Sequence, residues 1–165
     1  MNPCPCGNYG SRITPCRCTA QQIQRYRNRI SGPMLDRIDI HVEMGEVGYN
    51  DIAGRSCGEP SSAIRARVNA ARAIQTRRYA GMGILFNAQL TNRMMNQYCV
   101  LTSDAEALMK KAFATLKLSA RAYTRLLKVS RTIADLAGSE QIKAEHIAEA
   151  IQYRSLESKY WGEIK

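Results

Sequence analysis

The stretch Ser119-Ala120-Arg121-Ala122-Tyr123-Thr124-Arg125-Leu126-Leu127-Lys128-Val129-Ser130-Arg131-Thr132-Ile133-Ala134-Asp135-Leu136-Ala137-Gly138 decides the fold class. Leu126, Val129, Ile133 and Leu136 recur every three or four residues, which places them on one face of an α-helix. Ser119 stands where a hydroxyl caps the free N–H groups of a first turn, and Gly138 stands where a helix stops. A helix with one apolar face has to be covered by other elements.

The flanking sequence supplies them. Upstream, Ala105, Leu108, Met109, Ala112, Phe113 and Leu116 form the inward face of a helix for which Ser103 and Glu106 make a capping box. Asn87 is expected to cap a shorter helix carrying Leu90, Met94 and Tyr98, and Gly81 and Gly83 to end the one before it. That earlier helix starts near residue 61. Its apolar stripe, Ile64, Val68, Ala71 and Ile74, is narrow, and Arg65, Arg67, Arg72, Arg77 and Arg78 cover most of the remaining circumference. It should pack on one side only. Downstream, residues 144–154 turn Ile147, Ala150 and Ile151 inward and leave His146 on the helix surface. Residues 61–165 are therefore expected to be a helical bundle, and the Gly-, Pro- and Ser-containing tract from Gly45 to Ser62 to hold a domain boundary near residue 60.

Residues 1–60 follow another pattern. In Ser31-Gly32-Pro33-Met34-Leu35-Asp36-Arg37-Ile38-Asp39-Ile40, a Gly-Pro turn opens into an alternation in which Ile38, Ile40, Val42 and Met44 face a core while Asp39, His41 and Glu43 face away. The expectation is a half-buried strand over residues 37–44. Arg37 stands at its mouth, where a guanidinium fork suits phosphate oxygens; a surface pair with Asp36 or Asp39 is the alternative. Residues 19–30 are expected to form a short helix capped by Thr19, with Ile23, Tyr26 and Ile30 on one face. Arg25, Arg27 and Arg29 make it basic, either as a solvated face or as a surface for phosphate. Before it, Pro3, Pro5, Gly7, Gly10 and Pro15 impose a loop in which Cys4 and Cys6 face Cys16 and Cys18 across a polar spacer. Two Cys-X-Cys pairs can close four thiolates around one tetrahedral Zn²⁺, with free thiols as the alternative.

The composition fits these assignments. A net charge of +10 over 165 residues points to phosphate, as nucleic acid or nucleotide, for a partner. No apolar run reaches the length of a membrane span, and no basic region followed by an apolar stretch opens the chain, so no membrane is expected and a cytoplasmic location is. In a reducing compartment the six cysteines suit metal binding or free thiols better than disulfides.

Two sets of strings go beyond composition. Met1-Asn2-Pro3-Cys4-Pro5-Cys6-Gly7, continuing through Arg25-Tyr26 and Ile30-Ser31-Gly32-Pro33-Met34-Leu35-Asp36-Arg37-Ile38-Asp39, is one. The other is Leu118-Ser119-Ala120-Arg121-Ala122-Tyr123-Thr124-Arg125 with Val129-Ser130-Arg131-Thr132-Ile133-Ala134-Asp135-Leu136, followed by His146 and Glu149-Ala150-Ile151-Gln152-Tyr153-Arg154. Together, in this order, they resemble the magnesium-chelatase-like AAA+ ATPases of the competence protein ComM type. The resemblance implies a fold that is mainly α, the helical lid bundle of an AAA+ ATPase over residues 61–165, with a short residual α/β core segment in residues 1–60. It makes Asn2 the sensor-1 residue that orients the attacking water, Arg37 the arginine finger that reaches a neighbouring subunit's nucleotide, and Arg121 the sensor-2 residue. Arg125 and Arg131 match the family string as lid packing or intersubunit contacts.

ATP and Mg²⁺ are the implied cofactors, a homo-oligomeric ring the implied assembly, and remodelling of branched DNA the implied work. The sequence departs from the family in having no Gly-x-x-x-x-Gly-Lys-[Ser/Thr] loop and no apolar strand ending in paired acids. The expectation is a C-terminal part of a longer ATPase, inactive without its upstream AAA+ core. A zinc-stabilised helical module that binds nucleic acid through Arg65, Arg67, Arg72, Arg77 and Arg78 is the competing expectation.

Overall fold

The computed structural model describes residues 1–49, 53–54 and 58–154. They fall into two compact units, one made by the described residues of Met1–Gly54 with Tyr153 and Arg154, the other by those of Arg55–Gln152. Cys57 lies outside the described residues.

The first unit holds α1 (Ala20–Arg27) and α2 (Gly32–Leu35). Thr19 caps α1 in a reciprocal box: its hydroxyl accepts from the Gln22 N–H at 3.2 Å, and the Gln22 side chain accepts from the Thr19 N–H at 2.9 Å. Ile23 and Leu35 are buried, as is Arg27, a residue of the basic set expected on a solvated or phosphate-facing surface. The strand expected over residues 37–44 does not form. Val42 and Met44 are 63 % and 85 % exposed, and no neighbouring strand among the described residues offers a ladder to the backbone of this segment. Alternation marks a face that a sheet would bury; it does not supply the sheet. The His41 N–H instead donates to the Tyr153 carbonyl at 2.7 Å.

The second unit is helical: α3 (Ser61–Arg78), a 3-10 turn (Asn87–Gln89), α4 (Asn92–Tyr98), α5 (Ser103–Thr115), α6 (Ala120–Leu136) and α7 (Ala144–Gln152). The central helix is α6, which packs against α3, the 3-10 turn, α4 and α7, while α5 packs on α7. Met109, Leu126, Leu127, Ile133, Ile142 and Ile147 fill the core. A parallel bridge, Leu101 to Ile142, ties the entry of α5 to the entry of α7, with N–H···O distances of 2.9 and 3.0 Å. Ser119 caps α6 as expected, accepting from the Ala122 N–H at 3.1 Å. Gly138 ends it at φ +67°, a left-handed conformation that disfavours a side chain.

Two caps lie elsewhere than expected. Thr102, fixed in extended conformation beside the bridge, caps α5 in place of Ser103, and Thr91 caps α4 in place of Asn87. Asn87 is buried in a polar network described below. Phe113, Leu116 and Leu136, expected inward, are substantially exposed; on α6 the buried face runs through Ser130, Arg131, Ala134 and Asp135 and leaves Leu136 outside it.

His146, expected on the surface, is 3 % exposed. Its Nδ1 accepts the Lys143 N–H at 3.0 Å and so satisfies a free donor at the start of α7. Burial lowers its pKa below the ordinary 6.5, with Glu145 pulling the other way. A base depressed in the folded state binds fewer protons there than in the unfolded chain, so its contribution is complete above pH 6.5 and is lost as pH falls below that value. Denaturant titrations of the wild type from pH 7 to pH 5 should show falling stability, at a slope of at most about 1.4 kcal/mol per pH unit from this group. His146→Gln should remove that part of the slope, and an unchanged slope would contradict the assignment.

Candidate active-site residues and a four-cysteine centre

The loop before α1 gathers its cysteines. The Sγ atoms of Cys4, Cys6, Cys16 and Cys18 all lie within 4.8 Å of one another, with Cys4–Cys6 at 3.4 Å, Cys6–Cys16 at 3.6 Å and Cys4–Cys16 at 3.7 Å. A disulfide would need about 2.05 Å. A tetrahedral ion with metal–sulfur bonds of about 2.3 Å holds its sulfurs about 3.8 Å apart, which is close to the spacing found. Backbone N–H groups support the sulfurs: Tyr9 donates to Cys4 at 3.3 Å and Cys18 to Cys16 at 3.5 Å. The amides of Asn8 and Arg17 act in the same way on Cys6 and lower its pKa to about 6. For Cys18 the Cys6 amide also lowers the pKa, but burial and the neighbouring sulfurs outweigh it and push the thiol up to about 12. Clustered thiols cannot all ionise beside one another, whereas a bound dication reverses that balance. The four side chains can hold a metal ion.

Asn2 and Arg37 belong to the same unit, and both are exposed. Asn2 precedes the buried Cys4 by two residues and lies against the Gly7 turn. Arg37 follows α2, and its N–H donates to the Met34 carbonyl at 3.0 Å. Its neighbours on both sides are held by the buried Arg154, which donates to the Ile38 carbonyl at 3.4 Å and to the Asp36 carboxylate at 3.5 Å. The chain around Arg37 is thus anchored, and the residue itself is exposed.

Arg121 lies in the other unit, exposed in the first turn of α6, where the helix dipole favours an anion. The arginines of α3 do not form a uniform basic face. Arg67 pairs with Glu59 at 2.6 Å, Arg72 lies over the Phe86 ring at 3.8 Å, and Arg78 turns inward. Arg65 and Arg77 are exposed.

Arg78 reaches Asp135 through a two-pronged pair at 2.5 and 2.9 Å. Asp135 also accepts from Arg131 Nε at 3.1 Å and from Asn87 Nδ2 at 2.8 Å, and Tyr79 donates its hydroxyl to Asn87 Oδ1 at 2.6 Å. Arg131, 0 % exposed, spends its remaining donors on the Glu140 and Ser139 carbonyls at 2.7 and 2.5 Å, beyond the end of α6. Burial alone would raise the Asp135 pKa, but the bonds from Arg78, Asn87 and Arg131 hold it below the ordinary carboxylate value.

Comparison with known proteins bears on both units. The model of the family described as magnesium chelatase, subunit ChlI C-terminal, matches residues 58–154, and that of magnesium chelatase, subunit ChlI, matches residues 1–52. The chain belongs to the magnesium chelatase family. Competence protein ComM of Haemophilus influenzae is 43 % identical over 157 residues, covering 94 % of this chain and 30 % of the relative. Two proteins named YifB, from Salmonella typhimurium and Escherichia coli, are 40 % and 39 % identical over 158 and 159 residues, each covering 95 % of this chain and 30 % of the relative. The chain therefore spans about 30 % of the length of these relatives. The helical bundle of residues 58–152 is the fold of this magnesium chelatase C-terminal region. No helix among the described residues is long and apolar enough to cross a membrane.

Within this magnesium chelatase chain, sequence patterning missed the Arg78–Asp135–Arg131 cluster. Arg131 and Asp135 stand four residues apart on α6 and were legible as a helical ion pair. Arg78 lies 57 residues from Asp135 in sequence, and no local signal links the two.

Proposed function

We propose that the chain supplies Asn2, Arg37 and Arg121 to ATP hydrolysis by a magnesium-chelatase-like AAA+ ATPase that couples hydrolysis to DNA remodelling, such as branch migration. The observation that supports this is the match to the family models over residues 1–52 and 58–154, ranges that contain all three residues. Asn2 orients the attacking water as sensor 1. Arg37 acts as a finger on the nucleotide of the neighbouring subunit in a homo-oligomeric ring, and Arg121, as sensor 2, binds the phosphoryl group from the first turn of α6. Charge developing on that group is what such arginines stabilise. The anchored chain around Arg37 supports its role, because a finger has to reach outward from a fixed base.

The phosphate cradle and the Mg²⁺ ligands are assigned to an upstream AAA+ core of the same protein, since no phosphate-binding loop occurs in residues 1–165. ATP and Mg²⁺ are the cofactors of that whole protein. Zn²⁺ is the ion assigned to Cys4, Cys6, Cys16 and Cys18, where it orders a loop with little apolar core of its own. In the functional division proposed, residues 1–60 are the end of the AAA+ core and residues 61–165 the lid.

In the full-length protein, Arg37→Ala should lower steady-state ATP hydrolysis at least about 100-fold with nucleotide affinity changed only severalfold. The isolated chain should release no phosphate above background. Hydrolysis at the wild-type rate by the variant, or phosphate release by the isolated chain, would contradict the proposal.

A further inference from the structure

Asn2 is held by a closed set of contacts around the cysteine centre. The carbonyl of Pro3, the next residue, accepts from Arg27 Nε at 3.2 Å. Arg27 is 5 % exposed, and its guanidinium lies 4.6 Å from the centre of the Tyr9 ring. The Tyr9 N–H in turn donates to Cys4 Sγ at 3.3 Å, and Cys4 leads back along the chain to Pro3 and Asn2. A second contact comes from the turn between Cys4 and Gly7, closed by the Gly7 N–H on the Cys4 carbonyl at 3.1 Å. At Gly7, φ is +85°, and a Cβ placed there would come within 3.5 Å of Asn2 Nδ2, so the Asn2 amide rests against that turn.

We infer that Arg27, through the Pro3 carbonyl, and the four-cysteine centre, through Cys4 and the Gly7 turn, form a clamp that positions Asn2. Arg27 is then a positioning residue for ATP hydrolysis, and the metal centre is more than a staple for a loop. The inference rests on the sensor-1 role proposed above for Asn2. The physical ground is that a residue orienting a water contributes in proportion to how well its own backbone is fixed. A short segment containing Pro3 and Pro5 has no regular secondary structure to fix it. Removing an outer-shell partner of a metal ligand typically costs about 10- to 100-fold in metal affinity or activity, and a loss of the same order is expected for Arg27, whose acceptor Pro3 adjoins Cys4.

The test uses the full-length protein and three variants: Asn2→Ala, Arg27→Met and the two combined. Arg27→Met keeps the volume and removes the donor. It is expected to retain about one zinc per chain and near wild-type ATP affinity, while single-turnover hydrolysis falls about 10- to 100-fold. The combined variant should be no slower than Asn2→Ala alone, because both changes remove the same oriented group. Should Arg27→Met lose its zinc, Tyr9→Leu, at an exposed ring, replaces it in the same cycle, with a smaller loss that is again absent on the Asn2→Ala background. Wild-type hydrolysis by Arg27→Met with Asn2→Ala slow, or losses that multiply in the combined variant, would overturn the clamp alone. Wild-type hydrolysis by Asn2→Ala would overturn the sensor-1 role beneath it.

Discussion

Replacing Asp135 by alanine is expected to unfold the helical unit or bring it close to unfolding. The side chain of Asp135 is fully buried, that of Arg131 is 1 % exposed, and that of Arg78 is 17 % exposed, so one carboxylate offsets two guanidinium charges. Removing one partner of such a group leaves the others charged and desolvated, which costs about 3–5 kcal/mol. A whole domain is typically stable by only about 5–15 kcal/mol. Arg131 keeps its bonds to the Ser139 and Glu140 carbonyls in the variant, so the loss falls mainly on Arg78 and Asn87. Guanidinium denaturation followed by helical circular dichroism reads the change. Combining Asp135→Ala with Arg78→Ala should cost less than the sum of the two single changes, because the second removes the charge stranded by the first. The pH dependence follows from the lowered Asp135 pKa: its contribution is complete above the ordinary carboxylate value near 3.8 and is lost as pH falls through the lower folded value. A loss below about 1 kcal/mol for Asp135→Ala would mean that the cluster contributes no more than a surface pair.

The second large effect is expected at the cysteines. Protein purified without added metal should carry about one zinc per chain, and Cys16→Ser should reduce it to background. The free energy of binding a structural zinc ion is comparable to the whole stability of a small domain. Among the described residues of the first unit, the buried ones besides Ile23 and Leu35 are Cys4, Arg27 and Arg154, which is too little apolar surface to order the first eighteen residues without the ion. Chelation should therefore abolish amide-exchange protection over residues 1–30 and leave residues 103–152 as slow as before. Wild-type protein without zinc, or Cys16→Ser protein that keeps it, would remove the metal from the account. Unchanged exchange after chelation would make the ion dispensable for order.

The parts of the fold that were legible in the sequence are those set by local physics. The Ser119 and Thr19 caps, the Gly138 stop and the facing cysteine pairs depend on residues close in the chain, and the structure has them where the spacing puts them. What was not legible depends on partners distant in sequence. The alternation of residues 37–44 looks like a strand, but no neighbouring strand among the described residues meets it. Phe113 and Leu136 satisfy a helical stripe yet stay substantially exposed. Asn87 reads locally as a cap, and His146 as a surface residue; a buried carboxylate 48 residues away claims the first, and the backbone of Lys143 the second. For the proposed site, motif strings identified Asn2, Arg37 and Arg121, whereas Arg27 and Arg154 emerged only once the backbone carbonyls they hold were in view.

The central claim is that Arg37 completes a nucleotide site on a neighbouring subunit, and subunit mixing tests it most directly. Full-length Arg37→Ala protein is prepared alongside full-length protein inactivated in the phosphate-binding loop proposed upstream, and ATP hydrolysis is measured for each alone and for mixtures across all ratios. Each alone should be inactive. Mixtures should recover hydrolysis that peaks at intermediate ratios, because an intact phosphate cradle on one subunit then meets Arg37 from the other. Hydrolysis that stays at background at every ratio, or an Arg37→Ala protein as active as the wild type, would contradict the account.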